Sequence, residues 1–323
     1  MALVDMAVFN KYMMPATIET LATMVEKFNA ASGGAIRLTT EGFEGDFLQE
    51  SFWAAIHSAQ RRVDRYASNG AVSTTDLSQL KHNSVKVAGG FGPVRFEPSQ
   101  MTWLQKPTAE GIEVISRNMA EAMMQDMLHT TIAALVAAIE GQGATVTYDA
   151  GTGDLDYRAI NNSHAKFGDM SGLLVTEIMD GAQYHNLIDK NLANAERLFT
   201  STGVRVVNIL DHVVVVTDAP ALRETATAGD IKVLSLVRDA AVVHDAGDLI
   251  VNVETTNGKG RIETTLQADY AYGLGLKGYA WDTTNGGKTP TDAELATGSN
   301  WDKVATSIKH TAGVIALADN GVV

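Results

Sequence analysis

The chain has 323 residues, of which 45% are hydrophobic and 20% are charged, the profile of a folded globular protein. Its 25 basic and 38 acidic side chains give a net charge of −13, the opposite sign from a protein that binds nucleic acid through its phosphates. It has no cysteine, which excludes a disulfide scaffold, a thiolate zinc site and a cysteine nucleophile. The N-terminus lacks the pattern of a secretory signal, and no uninterrupted apolar run approaches the ~20 residues that span a bilayer. We therefore expect a soluble protein of the cytosol, or of an assembly formed there.

The charge is distributed unevenly along the chain. Residues 1–56 carry a net charge of −4, residues 57–106 carry +4, and residues 107–323 carry −13. The basic stretch is either an accident of composition or a segment that lies against an acidic surface, on its own chain or on a copy of it.

The first part of the chain predicts two helices. Apolar residues recur at helical spacing from Ile18 to Phe28, and Gly33-Gly34 ends this short helix. A second, amphipathic helix is predicted from Asp46 to Tyr66. Its apolar stripe consists of Leu48, Phe52, Ile56, Ala59, Val63 and Tyr66. Three basic residues lie off that stripe and are expected to face solvent or a partner: Arg61, Arg62 and Arg65.

A two-stranded ribbon is predicted next. Short alternating runs at residues 84–87 and 94–97 flank a glycine-rich stretch at residues 88–93, which has the composition of a turn. Such a hairpin is marginal alone, and this one has few large apolar residues, so we expect it to contact another surface. A phosphate-binding loop is disfavoured, because no helix start with Lys-Ser or Lys-Thr follows and Pro93 removes a donor.

The longest predicted helix opens at Pro107 and ends at Gly141 and Gly143. About 33 residues at 1.5 Å each make it roughly 50 Å long. Its methionines are interpreted as adaptable core residues and not as a cofactor site.

The second half predicts one helix and a series of strands. The predicted helix covers residues 184–198, and the predicted buried strands cover residues 173–178, 204–209, 213–217, 231–237 and 249–253. Strict alternation then predicts one strand of about 16 residues that ends near Leu276, roughly 50 Å long. Because the long helix and the long strand match in length and each has one apolar face, we expect them to pack together in an elongated α+β body.

The sequence predicts no catalytic, cofactor-binding or metal site. The eight histidines are scattered without a His-x-His or His-Glu-x-x-His motif, so each is interpreted as a surface or core residue. A metal site built from distant positions stays open. No Gly-x-Ser-x-Gly nucleophile elbow occurs, and an enzyme would need a site that no local pattern marks.

Taken in order, these parts resemble a major capsid protein of a tailed bacteriophage with the Hong Kong 97-like fold. The resemblance covers most of the chain. The stretches that carry it are residues 203–212, residues 240–245, the long strand through Gly278-Tyr-Ala-Trp281, and the tail from Pro290 to Val304.

The resemblance implies an α+β chain with four parts. The first is an N-terminal arm (residues 1–46), and the second is an amphipathic helix followed by an extended loop called the E-loop (47–106). The third is a peripheral domain that contains the spine helix and the long strand (107–150 and 255–280). The fourth is a mixed α/β axial domain (151–254 and 281–323). The extended loop of that family lies across the neighbouring subunit, which fits a basic ribbon on an acidic body. The expected inter-subunit contact residues are Arg61, Arg62, Arg65, Lys81, Lys86, Arg95 and Phe91.

The implied function is self-assembly into the icosahedral head of a tailed double-stranded DNA phage, from pentamers and hexamers, in the cytoplasm of the host bacterium. The implied partners are copies of the chain, a portal protein and weakly contacted DNA, with a decoration protein left open and neither membrane nor cofactor involved. Because the arm begins within the first 50 residues, a separate scaffolding protein is expected and not a fused one. The alternatives are an encapsulin-type nanocompartment shell and an unrecognised soluble enzyme.

Overall fold

The computed structural model describes residues 3–43, 45–53, 60–72, 74, 76, 79–96, 108–192, 206–209, 212–223, 230–258, 260 and 263–319. The helices are α1 (Leu3–Ala31), α2 (Thr108–Glu140), α3 (Tyr157–Ala165), α4 (Gly181–Leu192) and α5 (Asp292–Leu295). The strands are β1 (Ile36–Gly42), β2 (Phe47–Trp53), β3 (Gln79–Phe96), β4 (Thr147–Asp154), β5 (Leu174–Met179), β6 (Val206–Ile209), β7 (His212–Val216), β8 (Asp230–Val237), β9 (Ala241–Asp245), β10 (Ile250–Thr256), β11 (Glu263–Leu276), β12 (Tyr279–Trp281), β13 (Trp301–Lys303) and β14 (Gly313–Asp319).

The larger of two sheets is built around the long strand β11. Strands β3, β9, β10 and β12 all pair with β11 in antiparallel orientation. The sheet continues outward from them, because β2 pairs with β3, β1 pairs in parallel with β9, and β13 pairs with β12. One strand of 14 residues thus connects eight strands into a single sheet.

The second sheet has six strands in the order β4-β14-β8-β5-β7-β6. It is mixed, because β4 with β14 and β5 with β7 are parallel pairs while the other pairs are antiparallel. Helix α3 packs on it through Ala159 and Ile160, which share a buried cluster with Val214 and Val233.

Helix α2 contributes to the buried core that both sheets share. Its C-terminal half is buried through Ile132, Leu135 and Ile139, in the cluster that contains Leu234 of the second sheet and Leu274 of the first. Residues 113–140 are long and apolar enough to cross a bilayer by length and composition, but 61% of the most apolar window is buried inside the protein. This burial is typical of the core helix of a folded domain.

The long helix and the β-rich second half are confirmed. Helix α2 has the expected 33 residues, although Pro107 lies outside the described residues. Strands β5, β6, β7, β8, β10 and β11 lie within a few residues of the predicted runs, as does the start of α4, whose predicted end lies outside the described residues. Tyr270 of β11 donates a hydrogen bond to Asp126 of α2 at 2.7 Å, so helix and strand contact each other as expected.

The first helix is longer than predicted. The sequence interpretation began it near Ile18, but α1 runs from Leu3 to Ala31 with Pro15 inside it. Proline normally disfavours the interior of a helix. Here the part of α1 before Ile18 is stabilised by tertiary packing, because Met13 is fully buried in one cluster with Met119 of α2.

The predicted helix from Asp46 to Tyr66 is wrong. Residues 47–53 form β2, which pairs with residues 79–85 of β3, and residues 60–72 have neither helix nor strand. Residues 54–59 lie outside the described residues. The apolar spacing of this segment suits a helix, but pairing with a distant strand decides its conformation, and no local pattern records such a partner.

The predicted hairpin with a turn at residues 88–93 is also wrong. Residues 79–96 form the single strand β3, and Val85 and Val87 are buried in the protein's own core. The glycines allow neighbouring groups of β11 to lie close to the β3 backbone. A Cβ on Gly89 would lie 2.7 Å from the Tyr270 ring, and one on Gly92 would lie 2.7 Å from the Leu266 carbonyl oxygen. Gly92, with φ +96°, lies where the register with β11 shifts by one residue, which is a β-bulge and not a turn.

Gly273 on β11 provides a test of this close packing. The ring of Phe43 covers it, and an added Cβ would lie 2.1 Å from Phe43 Cδ2. We expect Gly273→Ala to lower the free energy of unfolding by about 1–3 kcal/mol, the usual cost of overpacking. The urea midpoint of unassembled subunits measures this, with Gly172→Ala as the control, because a Cβ at Gly172 meets no atom within 4 Å. Equal midpoints for the two variants would contradict the packing.

Buried tyrosines predict a loss of stability at alkaline pH. Burial raises the pKa of Tyr270 and Tyr272 above the ordinary value and raises the pKa of Tyr279 to about 12. In the unfolded chain a tyrosine loses its proton near pH ~10. The buried, neutral tyrosines therefore contribute their full share of the free energy of unfolding below pH ~10. This contribution is lost as pH rises toward ~12.

The free energy of unfolding, measured by urea unfolding between pH ~8 and ~11.5, should decline in this way. Tyr279→Phe should make the decline with pH less steep. The full contribution of Tyr279 to the free energy of unfolding is about 2–3 kcal/mol. Tyr66→Phe is the control, because Tyr66 is 100% exposed in the chain. If Tyr279→Phe and the unchanged chain decline in parallel, Tyr279 does not contribute.

Candidate assembly surface

The ribbon of β2 and β3 leads into an exposed stretch of chain. Phe47 pairs with Val85 at the base of the ribbon, and Trp53 pairs with Gln79 at its far end. Between those ends the structure describes residues 60–72, 74 and 76. We name residues 60–72 the exposed segment, and every side chain in it is exposed. The ribbon in the structure is thus formed by β2 and β3, and it is a different ribbon from the hairpin predicted at residues 84–97.

The exposed segment is both apolar and basic. Val63 is 62% exposed, Tyr66 is 100% exposed and Val72 is 54% exposed, so large apolar surface remains in solvent in the isolated chain. Arg61, Arg62 and Arg65 are exposed as well, and together with Asp64 they give the segment a net charge of +2. Clustered apolar and basic surface of this kind is typical of a protein–protein contact.

Other basic candidates lie on β3, where two of them have partners within the chain. Lys81 is exposed. Lys86 forms an ion pair with Asp248, and Arg95 lies 3.5 Å from Glu263, measured from Nη1 to Oε1. Both pairs are partly exposed, so each contributes only about 0–1 kcal/mol to stability.

Phe91, the remaining candidate, packs against its own chain. Its ring centroid lies 5.3 Å from that of Tyr270, and it contacts the buried cluster of Met13, Met119 and Leu266. The structure therefore leaves Arg61, Arg62, Arg65 and Lys81 exposed, while it places Lys86, Arg95 and Phe91 against residues of the same chain. A role for any of the seven across a subunit boundary stays a prediction.

These parts define a class of protein. A long N-terminal helix, an extended two-stranded ribbon, a 33-residue helix beside a long strand, and a mixed six-stranded sheet make a capsid subunit with the Hong Kong 97-like fold. The chain belongs to the Gp13-like family, described as "Major capsid protein 13-like", whose model matches residues 5–315.

Solved phage structures share the fold at low sequence identity. The Cyanophage Pam1 capsid asymmetric unit is 9% identical, with a TM-score of 0.52 and 88% of each chain covered. A chain of Mycobacterium phage Cain is 10% identical, with a TM-score of 0.54, covering 88% of this chain and 89% of that one. No curated protein matches the chain.

The family match decides the function. The chain is a major capsid protein of a tailed-phage head, is located in the virion capsid and self-assembles into its shell. The interpretation as a phage capsid protein is confirmed in preference to the encapsulin alternative.

Hydrogen exchange tests the exposed segment directly. In free subunits the amides of residues 60–72 should exchange fast, because these residues belong to no helix or strand. If a neighbouring subunit covers them, their exchange should slow at least tenfold in assembled shells. Amides of β11 are the internal control and should be protected in both states. Equal exchange of residues 60–72 in subunits and shells would show that no neighbour covers them.

Proposed function

We propose that the exposed segment attaches each subunit to a neighbour, and that pentamers and hexamers built in this way form the icosahedral shell. The observation that carries the proposal is the complete exposure of Tyr66 beside three arginines in a chain whose net charge outside residues 57–106 is −17. An aromatic side chain, two valines and three arginines exposed in one segment have the composition of a surface that a protein partner covers.

The two kinds of side chain have different roles in this contact. Covering a tyrosine removes about 150–250 Å² from solvent, which makes Tyr66 the expected source of affinity. Each exposed ion pair adds only about 0–1 kcal/mol, so the arginines mainly select an acidic surface and the orientation on it. Exposed carboxylates are present on the body of the chain, as at Glu19, Glu121 and Asp302.

The remaining partners follow from the place of a major capsid protein in a phage head. We propose a separate scaffolding protein and a portal protein as partners, with a decoration protein left open and with assembly in the host cytoplasm. The packaged DNA should be contacted only weakly, because a net charge of −13 repels phosphates. The family is structural, and we propose that the chain carries out no catalysis.

Charge reversal tests the role of the arginines. The triple variant Arg61→Glu, Arg62→Glu, Arg65→Glu should remain folded and soluble, because these side chains are exposed and the segment lies outside both sheets. Its subunit association should weaken by up to about 3 kcal/mol, roughly a hundredfold. Association of the unchanged protein should also weaken as salt rises from ~0.05 to ~0.5 M, because the Debye length shortens. Light scattering and electron microscopy measure the shell yield.

Two further variants separate charge from apolar contact. Tyr66→Ser should reduce the shell yield at every salt concentration, because burial of apolar surface is not screened. The matched control reverses three exposed basic residues elsewhere on the chain: Lys27, Arg158 and Lys303. Normal shells from the arginine triple and from Tyr66→Ser, together with assembly of the unchanged protein that is indifferent to salt, would contradict the proposal.

A further inference from the structure

A buried polar cluster joins three strands of the second sheet and the helix that packs on it. Glu177 of β5 pairs in register with Ser235 of β8 and with Val214 of β7. Because side chains alternate along a strand, His212 lies on the same face of the sheet as Val214, and therefore as Glu177. Helix α3 covers this face and contributes His164 from its last turn.

The side chains converge closely. His164 Nε2 lies 2.7 Å from Glu177 Oε1, and the Ser235 hydroxyl donates to Glu177 Oε2 at 2.6 Å. His164 Nε2 also lies 3.1 Å from Ser235 Oγ. The ring of His212 meets the ring of His164 edge to face, with 4.9 Å between their centroids. One ligand atom from each of His164, Glu177 and His212 lies within 4.8 Å of the other two.

Burial makes this cluster costly without a compensating charge. Glu177 is 0% exposed and His164 is 7% exposed, and a buried carboxylate is tolerated only when paired or bound to a cation. The hydrogen-bonded trio of His164, Glu177 and Ser235 already satisfies the carboxylate in part. That trio does not account for a second imidazole converging on the same carboxylate from another strand.

We propose that His164 Nε2, Glu177 Oε1 and a ring nitrogen of His212 bind a divalent transition metal ion, with zinc as the ion that best fits. Two imidazoles and one carboxylate are a typical zinc donor set, and a water molecule completes the tetrahedron. Ser235 does not bind the metal itself. Its hydroxyl donates a hydrogen bond to Oε2 of Glu177 and so orients the carboxylate, whose other oxygen, Oε1, binds the metal.

The geometry requires only a small adjustment. Two ligand atoms that each lie ~2.0 Å from a tetrahedral zinc ion are ~3.3 Å apart. The Nε2–Oε1 pair at 2.7 Å must therefore open by a few tenths of an ångström, and the His212 ring must approach. His212 is only partly buried, which provides a path for the ion from solvent. The ion would tie α3 and β5 to β7, which comes later in the chain.

Metal content of the full chain tests the proposal. Subunits and shells dialysed against excess ZnCl₂ and then against metal-free buffer should retain about one zinc per chain by elemental analysis. Competition with a chromogenic chelator gives the affinity. His212→Gln should weaken it at least a hundredfold, and Ser235→Ala about 10–100-fold. The matched control is His185→Gln, which removes an exposed imidazole of α4 and should retain the zinc.

Cobalt provides a readout that does not depend on the folding of any variant. Co²⁺ added to the unchanged protein should give the intense visible ligand-field bands of four-coordinate cobalt, and one equivalent of Zn²⁺ should remove them. Failure of the unchanged protein to retain zinc or to give these bands would overturn the proposal and leave a hydrogen-bonded His–Glu–Ser cluster. Equal loss of zinc from His185→Gln and His212→Gln would overturn it as well.

Discussion

The backbone pairing of β11 is the constraint on which the larger sheet depends. Four strands from three different parts of the chain hydrogen-bond to it, and the remaining three strands attach through those four. A buried backbone amide or carbonyl without a partner costs about as much as a lost hydrogen bond. The arm, the ribbon and the tail of the chain therefore fold together on this strand, and none of them can leave it without exposing unpaired backbone groups.

The small residues along β11 follow from the same crowding. Strands pack on both edges of β11, helix α2 approaches one face, and the ring of Phe43 covers the backbone at Gly273. On β3, Gly89 leaves room for the Tyr270 ring, whose hydroxyl reaches Asp126 of the helix. Gly89, which resembles part of a turn signal in the sequence, is here the residue that lets the Tyr270 side chain connect sheet and helix.

The isolated chain has a well-packed centre, and its exposed segment carries uncovered apolar side chains. Both sheets and α2 share a continuous core, whereas Val63, Tyr66 and Val72 remain in solvent. A capsid subunit must satisfy two conditions that conflict in an ordinary monomer: it folds before assembly, yet it keeps surface available for its neighbours. The role proposed for the exposed segment is compatible with both conditions, because the two-stranded ribbon separates that segment from the core.

Elements whose pattern is local are predicted correctly from the sequence alone. The 33 residues of α2 keep one apolar period, and β11 keeps strict alternation, so both were predicted with nearly correct bounds, and their matched lengths indicated the α+β body. The resemblance in order of parts was enough to predict the family. The exposure of Arg61, Arg62 and Arg65 was also expected, although on a helix, whereas residues 60–72 form neither helix nor strand.

Segments whose conformation depends on distant partners are fixed by tertiary packing and are not predicted from local pattern. Residues 47–53 become a strand because β3 lies beside them, and residues 88–93 continue a strand because β11 holds them on one edge. The proximity of His164, Glu177 and His212 could not be predicted from the sequence either, because they belong to three different elements and no short motif links them. Periodicity reports which face of an element is apolar, but it does not report which strand will supply the hydrogen bonds, and that choice comes from the packing of the whole chain.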